Sequence, residues 1–436
     1  MSSTSSADAA RDLLERVLGE LGAASGATTD HPAPPHPVPL PSRLATGDLA
    51  WASVGAVCVV AGIRTVPDPD RVALVYRSDR LLMIGGEAPS VWSPLSGFWR
   101  TRDGWVRTHG NYPHHAEGLL RGLGIRVADR MLEAMAERTS AEAVAAITGA
   151  GGLAVAVASE VPARDAALRR GPLLDVRRTD ASSSRGIRSA PDALPLTGVR
   201  ILDLTRVIAG PVCTRTLALL GADVLRIDPP HLPEPVWQHD DTGHGKRTAL
   251  LDARSAVMPD LLSAADVVVL GYRPSSLETL GLSPDLLAAR HPGLVIAELS
   301  AWGAEHPDRA GFDSLVQAES GIAVVESPDG ERPGALPAQA LDHSAGYLLA
   351  ASVVALLERR RLEGGTWQVR TSLRRIAAEL LGMPRREHPE PERTIDPAPH
   401  TAVFDVGGRT VTTARPALPG LEFAAPRPWG GDQPRW

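Results

Sequence analysis

The sequence contains little cysteine and almost no lysine. Its two cysteines, Cys58 and Cys213, lie far apart, and Lys246 is its one lysine, so that 44 of its 45 basic residues are arginine. Two distant thiols form neither a disulfide scaffold nor a thiolate metal site, which favours a reducing, cytoplasmic environment. The arginine bias is typical of a coding preference, but it makes Lys246 notable, because arginine does not replace a compact ammonium group where one is needed.

Neither an excess of positive charge nor a long apolar run is present. Basic residues number 45 and acidic residues 51, which gives a formal net charge of −6. This balance excludes a general affinity for nucleic acid or for an anionic membrane. No apolar run reaches the roughly 18 residues of a membrane span, and the N-terminal stretch lacks the basic and apolar regions of a signal peptide. We therefore expect no nucleic-acid partner and no membrane association.

Proline-rich and turn-rich stretches divide the 436 residues into segments. A chain of this length suits about two to three domains. The sequence predicts an N-terminal helix and proline-rich linker over 1–43, a small α+β domain over 44–174, a linker over 175–194, a larger sheet domain over 195–383, a linker over 384–400, and a C-terminal hairpin and tail over 401–436.

Strand-like and helix-like segments alternate in the larger domain. The apolar runs "VRILDL", "ADVLRID", "ADVVVLGYRP" and "GLVIAELSAWG" are typical of buried strands, and helical patterns such as "PVCTRTLALLGA" separate them. This alternation predicts parallel βαβ units. The expected fold class is therefore α/β, with a doubly wound, mostly parallel sheet that binds ligands at the carboxyl ends of its strands, and a second, smaller α+β domain.

The first strand of this sheet is not followed by a dinucleotide-binding turn. The sequence "TRVIAGPVC" stands where a Gly-x-Gly-x-x-Gly motif would be, and no Gly-x4-Gly-Lys-Ser/Thr phosphate loop occurs in the chain. NAD is therefore not an expected cofactor. His109, His114 and His115 cluster in the sequence, but no carboxylate stands at ligand spacing, so we expect exposed histidines and no metal.

The stretch "RAGFDSLVQAESGIAVV" leaves two roles open for Asp313. Aspartate is a favourable N-cap, because its carboxylate accepts the unpaired N–H groups of the first helical turn. The same group is a candidate reactive carboxylate. From these residues alone, capping is the expected role.

Five ordered motifs between about Leu194 and Leu381 resemble the family III CoA-transferases (the CaiB/BaiF family), which include carnitine and formyl-CoA transferases and the related α-methylacyl-CoA racemases. The motifs are "PLTGVRILDLTRVIAGPVCTRTLALLGADVLRID", "GHGKRTALLDAR", "ADVVVLGYRPSSLETLGLSPDLLAARHPGLVIAELSAWG", "AGFDSLVQAESG" and "ALDHSAGYLLAASVVALLERRRLEGGTWQVRTSL". The segment from "GFWRTRDGWVRTHGN" to "GGLAVAV" is similar to the family's smaller domain. That domain normally follows the sheet domain, so the order here resembles a permutation, or a tandem pair that has lost its outer pieces.

The resemblance implies a reaction, its substrates and a nucleophile. It implies transfer of coenzyme A between carboxylic acids, with acyl-CoA and free acids as substrates and a homodimer, whose chains interlock in the family, as the assembly. The family's catalytic aspartate stands in the motif matched by Gly311, Phe312 and Asp313. A carboxylate that attacks a thioester forms a mixed anhydride, and the expelled thiolate then forms an aspartyl-CoA thioester. Capping and catalysis are compatible, since helix N-terminal dipoles stabilise an anion away from water.

CoA contacts are expected at loops and strand ends of the sheet domain. Gly210 permits close backbone approach and Arg206 is suited to a phosphate, although a solvated surface charge is the alternative for Arg206. Gly271 stands where the family usually has asparagine, which removes one side-chain amide. The candidate contact residues, taken from the matched elements and from one strand end, are Arg206, Val207, Ala209, Gly210, Arg226, Lys246, Arg247, Tyr272 and Arg273.

Two other functions remain open from the sequence. Racemases of this fold transfer a proton with an Asp/His pair, and their motif typically reads Gly-His-Asp where this chain reads Gly-Phe-Asp. His291 and His306 lie upstream, in an ordinary turn and a polar loop. A non-catalytic acyl-CoA-binding paralogue is the third possibility. The permuted order and Gly271 favour it, whereas Asp313 and Lys246 oppose it.

Overall fold

The computed structural model describes residues 6–23, 34–180 and 194–436. Its α-helices are α1 Ser6–Leu21, α2 Thr46–Val60, α3 Pro69–Tyr76, α4 Ser78–Leu81, α5 Pro113–Leu123, α6 Met131–Ala136, α7 Ser140–Gly149, α8 Pro162–Arg169, α9 Ala209–Leu219, α10 Val236–Thr242, α11 Met258–Ala264, α12 Pro274–Thr279, α13 Pro284–Arg290, α14 Asp313–Ser320, α15 Ile322–Val325, α16 Ala340–Glu363 and α17 Leu373–Gly382. Short 3₁₀ helices cover Ala128–Arg130, Gly303–Glu305 and Ala398–His400.

The strands form one large sheet and two small ones. They are β1 Met83–Ile84, β2 Gly97–Arg100, β3 Trp105–Thr108, β4 Ala154–Ala156, β5 Asp175–Asp180, β6 Arg200–Leu204, β7 Asp223–Asp228, β8 Arg247–Leu250, β9 Val267–Leu270, β10 Val295–Ser300, β11 Thr366–Ser372, β12 Thr401–Val406 and β13 Arg409–Ala414. The large sheet has the order β5-β11-β10-β9-β6-β7-β8. Its strands are parallel except β5, which is antiparallel to β11. The α/β class with a mostly parallel sheet is confirmed.

The large sheet is covered by helices on both faces. In β6, Ile201 faces one apolar core and Leu202 faces the other, as the two-residue period of a strand requires. The first core contains α1, α2, α9 and α16, and the second contains α11 and α13. The strands β7 and β8 extend the sheet on one side of β6, and β9, β10 and β11 extend it on the other side. The order in which strands are added therefore reverses between β6 and β9. Ligands of such sheets bind at the carboxyl ends of the strands at this reversal.

A small antiparallel sheet, β2-β3-β4, stands beside the large one. The strands Gly97–Arg100 and Trp105–Thr108 are joined by a tight turn that contains Asp103 and Gly104. The helices α5, α6 and α7 pack on this sheet around a separate apolar core that includes Leu119 and Ile147. The chain after β4 contacts the large domain directly, where Ala158 N donates to Ala318 O at 3.1 Å. The small unit therefore packs against α14 of the same chain.

Two segment boundaries differ from the expected ones. Helix α2, which the sequence assigned to the small domain, packs into the main core with α16, and eleven of its fifteen residues are buried. A helix that is apolar on all sides must be buried on all sides, and the larger core provides this. Asp175–Asp180, expected within a linker, is the edge strand β5, whose charged residues suit a sheet edge. The remaining linker residues 181–193 lie outside the described residues.

Helix α16 is the central helix of the fold. In the described part of the chain it alone is long and apolar enough to cross a membrane, and 94% of its apolar window is buried within the protein. Such burial is typical of a core helix. Near the C-terminus, β12 and β13 form a hairpin with Gly407 and Gly408 at its turn, and β1 adds to its edge.

Candidate active site

Asp313 is the first residue of α14 and is fully buried. Among the described residues, no backbone N–H of its own helix donates to its carboxylate. Its Oδ1 atom accepts a hydrogen bond from Gln317 Nε2 at 2.5 Å, and its Oδ2 atom accepts one from the backbone N–H of Asp342 at 2.9 Å. Gln317 reaches it because residues four apart lie on the same helix face. The stabilising N–H dipole therefore comes from the first turn of α16, and not, as expected, from the helix that Asp313 begins.

Burial and neighbouring groups shift the pKa of the Asp313 carboxyl in opposite directions. Burial raises the pKa of Asp313 to about 6, against the lowering effect of its hydrogen bonds and of Arg107. The pKa of Asp342 lies well above its ordinary value, because Asp342 is buried beside Asp313. When one of the two carboxyls is ionised, the other is more easily kept protonated. Asp313 is the better anion of the pair, since it receives the N–H donors.

The small unit places two side chains next to this carboxyl. The His109 ring stacks on Phe312, with 3.9 Å between ring centroids and an angle of 11°. Arg107 is half-buried between the rings of Trp92 and Phe98, and Asp313 is the carboxylate that sustains its charge, although burial lowers the pKa of Arg107 to about 10. Sequence reasoning did not single out Arg107 and expected His109 to be exposed, because β3 and the loop after it meet α14 only through tertiary packing.

A large pocket of about 1050 Å³ opens at the strand reversal. Its floor contains the ends of β6 and β9, as the topology predicts. Phe312, Leu315 and Asp342, which surround Asp313, form part of its wall, together with Tyr112 from the small unit. This volume lies at the upper end for ligand pockets and suits a long ligand.

Five of the candidate CoA contacts line this pocket. They are Arg206, Val207, Ala209, Tyr272 and Arg273. Arg206 lies 4.9 Å above the Tyr112 ring and donates to Pro233 O at 3.1 Å. Val207 has a positive φ of 73°, which non-glycine residues rarely adopt, and its N–H is held by Glu234. The loop after β6 is thus fixed in one conformation.

Gly210 serves a different contact from the expected one. A Cβ atom at this position would lie 2.3 Å from the Thr205 Cβ atom. The close backbone approach for which glycine is required is therefore to Thr205, within the same loop. Gly210 does not appear among the residues that line the large pocket.

The remaining three candidates face away from the pocket. Arg226 is fully buried and forms ion pairs with Asp228 and Glu234. Lys246 is buried, with Nζ 3.2 Å from Asp203 Oδ2 and 2.9 Å from Pro211 O. Arg247 lies at the amino end of β8 and forms two bonds with Asp223. Each of these cations has a partner within the chain, and none lines the large pocket.

Cations that the sequence did not single out line the same pocket. Arg254 and Arg309 come from the loops after β8 and β10, and His114, His115 and His231 add ring nitrogens to the lining. Burial lowers the pKa of His115 to about 4. Such a lining suits a ligand with several phosphates, because guanidinium groups pair well with phosphate oxygens. The histidine cluster is thus part of a pocket wall.

One group of possible metal ligands exists within the described residues, namely His36, Asp68 and Asp70. It is remote in sequence from Asp313 and partly exposed. Asp70 forms an ion pair with Arg393, which accounts for one carboxylate of the group.

Comparison with known proteins agrees with the geometry. Residues 196–402 match the model of CoA-transferase family III. A probable fatty acyl-CoA transferase of Mycobacterium tuberculosis is 32% identical over 48% of this chain and 58% of its own length. A succinyl-CoA–D-citramalate CoA-transferase of Chloroflexus aurantiacus is 34% identical over 38% of this chain and 46% of its own length. An orthorhombic crystal structure of the mycobacterial protein matches 43% of this chain and 57% of that chain at 32% identity and a TM-score of 0.40.

The match of residues 196–402 to the CoA-transferase family III model confirms the resemblance found in the sequence. This chain spans about half of the length of the curated relatives that it matches. The segment holds β6 to β11 and Asp313, whereas the small antiparallel sheet lies before it in the chain.

Proposed function

We propose that this protein transfers coenzyme A between carboxylic acids through covalent intermediates on Asp313. The observation that carries the proposal is the position of this carboxylate. It is buried, it is held by Gln317 and by the N–H of Asp342, and its neighbours Phe312 and Asp342 line a large, arginine-rich pocket. An ionised carboxylate away from bulk water, beside a pocket suited to a phosphorylated coenzyme, supports nucleophilic attack on a thioester.

The proposed reaction has four steps. A carboxylate oxygen of Asp313 attacks the thioester carbonyl, the C–S bond breaks, and CoA thiolate leaves behind an acyl–aspartyl anhydride. The thiolate attacks the aspartyl carbonyl and releases the first acid. The acceptor carboxylate attacks the resulting aspartyl-CoA thioester and expels the thiolate again. The thiolate then attacks the acceptor acyl carbon, which forms the new acyl-CoA and restores the Asp313 carboxylate.

The contacts of Asp313 assign parts of this reaction to its neighbours. Gln317 Nε2 and the Asp342 N–H point at the carboxyl oxygens, so they stabilise negative charge on an aspartyl oxygen in the two tetrahedral intermediates that form at the aspartyl carbon. We propose that Arg206 and Arg273, in the loops that follow β6 and β9, hold coenzyme phosphates at the carboxyl ends of these strands. Arg226, Lys246 and Arg247 support the loops from behind, through internal ion pairs.

Substitution of the nucleophile tests the proposal. Asp313→Asn preserves shape but removes the attacking charge, so we expect transfer between acyl-CoA and free acids to fall at least about 10³-fold while CoA still binds. Asp260→Asn, which changes an exposed carboxylate of α11, is the matched control and retains activity. Transfer that survives in a folded Asp313→Asn protein would contradict the proposal.

Proton transfer at the α-carbon of an acyl-CoA is a second candidate, and one contact favours it. His109 stacks on Phe312 beside Asp313, and its Nδ1 atom is buried with no hydrogen-bond partner among the described residues. A racemase would exchange the α-hydrogen for deuterium in D₂O without a covalent enzyme intermediate. Deuterium exchange that persists when no acceptor acid is present would favour this second function.

The assembly and the compartment are also proposals. We propose a homodimer and a cytoplasmic location, in keeping with the family resemblance and with the two reduced, buried cysteines. The small unit and the large sheet of one chain already enclose the large pocket between them. A dimer would therefore add stability or further contacts to a pocket that one chain forms.

A further inference from the structure

A second, smaller cavity shares a wall with the large pocket. It has a volume of about 40 Å³, and Val207, Phe312 and Asp342 line both spaces. Phe312 and Asp342 are also the residues that flank the Asp313 carboxyl. Asp313 therefore lies in the partition between a large pocket and a small cavity.

The two spaces differ in charge. The large pocket has four arginines and two aspartates in its lining. The small cavity is lined by three carboxyl groups, those of Asp79, Asp241 and Asp342, and by no lysine or arginine among the described residues. Asp342 adds little negative charge, because its burial beside Asp313 keeps its pKa well above the ordinary value. Two guanidinium groups that do not line the cavity partly balance the other two carboxyls, since Arg215 Nη1 lies 3.7 Å from Asp241 Oδ1 and Arg80 acts on Asp79.

Three polar atoms around this cavity lack a hydrogen-bond partner. His109 Nδ1, His343 Nδ1 and Asp241 Oδ1 are buried without a hydrogen bond in the described part of the chain, whereas the other oxygen of Asp241 accepts one from Ser78 Oγ at 2.8 Å. His109, His343 and Asp241 are each at most 6% exposed. Buried polar atoms normally have partners, so three such atoms around one cavity indicate a polar ligand there.

The remaining lining is aromatic. Tyr76, Trp92 and Trp237 contribute ring surfaces, and Phe312 closes the side toward Asp313. Carboxylates combined with aromatic faces attract a cation in a desolvated site. The volume accommodates about three non-hydrogen atoms, judged by the 10–15 Å³ that one water requires.

We propose that this cavity receives the side of the acid substrate remote from its reacting carboxylate, and that it selects a short acid bearing an ammonium group. The inference rests on the proposed function, because it orients the acid toward Asp313. A second carboxylate would be repelled by Asp79 and Asp241, so short dicarboxylates are expected to be poor substrates. The large pocket would hold the coenzyme of the same reaction.

Binding of free acids to the full-length protein tests the inference without requiring turnover. In the presence of CoA, isothermal titration with β-alanine, butyrate and succinate compares an ammonium, a methyl and a carboxylate group on the same two-carbon arm. We expect β-alanine to bind about tenfold more tightly than butyrate, and succinate to bind least tightly. Equal or tighter binding of butyrate or succinate, or no binding of β-alanine, would overturn the inference.

A variant separates charge recognition from shape. Asp79→Asn removes one wall charge and is outside the proposed catalytic group, so we expect it to weaken β-alanine binding several-fold and leave butyrate binding unchanged. Asp129→Asn, an exposed carboxylate of the small unit, is the matched control and should change neither. Equal losses for β-alanine and butyrate in a folded Asp79→Asn protein would also overturn the inference.

The two proposals fail in distinguishable ways. Transfer that depends on Asp313 but ignores the charge of the acid would overturn the cavity assignment alone. Selective β-alanine binding by a protein that transfers no CoA would overturn the proposed function alone.

Discussion

At the residue scale, the central group is Asp313, and the sequence predicted its identity better than its surroundings. The motif around Asp313 pointed to this carboxylate, and the i, i+4 spacing to Gln317 was visible in the sequence. The N–H of Asp342, the stacked His109 and the half-buried Arg107 come from distant segments. Such contacts depend on how separate elements pack, which a local pattern does not contain.

The pH dependence of transfer follows from the Asp313 carboxyl. Because burial raises its pKa to about 6, we expect kcat/KM to fall by about tenfold per pH unit below pH 6 and to reach a plateau above it. Because the pKa of Asp313 is higher in the folded state than its ordinary value of 3.8, the folded protein binds this proton more tightly than the unfolded chain does. The contribution of Asp313 to the free energy of unfolding therefore rises as the pH falls from about 6 to 3.8. This group's titration therefore lowers activity without favouring unfolding.

A pH–rate profile between pH 5 and 8, with circular dichroism at each pH to follow the fold, checks this expectation. A profile that stays flat down to pH 5 would show that Asp313 titrates near its ordinary value.

Lys246 gives a second prediction at this scale. Its ammonium group neutralises the buried Asp203 carboxylate at 3.2 Å. Lys246→Met would leave that carboxylate unpaired, so we expect a loss of about 3–5 kcal/mol in the free energy of unfolding. Arg247→Ala breaks a more exposed pair with Asp223 and should cost at most about 1 kcal/mol.

Urea denaturation of both variants measures the difference. The sequence made Lys246 a candidate contact for CoA, so the measurement also distinguishes that role from the structural one. If Lys246→Met unfolds like the wild type and loses only CoA affinity, the ammonium group contacts the coenzyme and the structural role is wrong.

At the element scale, the strand–helix alternation of the large sheet was readable from apolar runs, and its strand order brings the β6 and β9 ends together. Two elements were misjudged for clear reasons. Helix α2 has no polar face, so its sequence does not reveal which core buries it. Strand β5 is short and charged, so its sequence reads as a linker until β11 provides a partner.

The loop between β6 and α9 yields the prediction at this scale. Gly210→Ala places a Cβ atom 2.3 Å from the Thr205 Cβ atom. The loop must move, so we expect the stability to fall by about 1–3 kcal/mol and CoA affinity to weaken as Arg206 and Val207 shift.

Gly149→Ala is the matched control, because no atom lies within 4 Å of its added Cβ. We expect this helix variant to be as stable as the wild type or slightly more stable. Thermal unfolding and CoA titration compare the two. Unchanged CoA affinity in Gly210→Ala would contradict the role assigned to the loop.

At the scale of the whole molecule, the small sheet and the large sheet meet around one carboxylate. Tyr112 lies under Arg206, and His109 covers Phe312. The sequence predicted both units and their permuted order, but not that the first closes over the sheet of its own chain. That arrangement depends on contacts such as Ala158 N to Ala318 O, which no pattern within either unit encodes.

We propose that the packing of the two sheets lets Asp313 carry an acyl group or CoA without exposure to water. Incubation of the protein with an acyl-CoA, treatment with hydroxylamine and peptide mass spectrometry measures this directly. We expect a hydroxamate at Asp313 that depends on the acyl-CoA and is absent from Asp313→Asn. An unmodified Asp313 peptide from a preparation that is actively transferring CoA would contradict it.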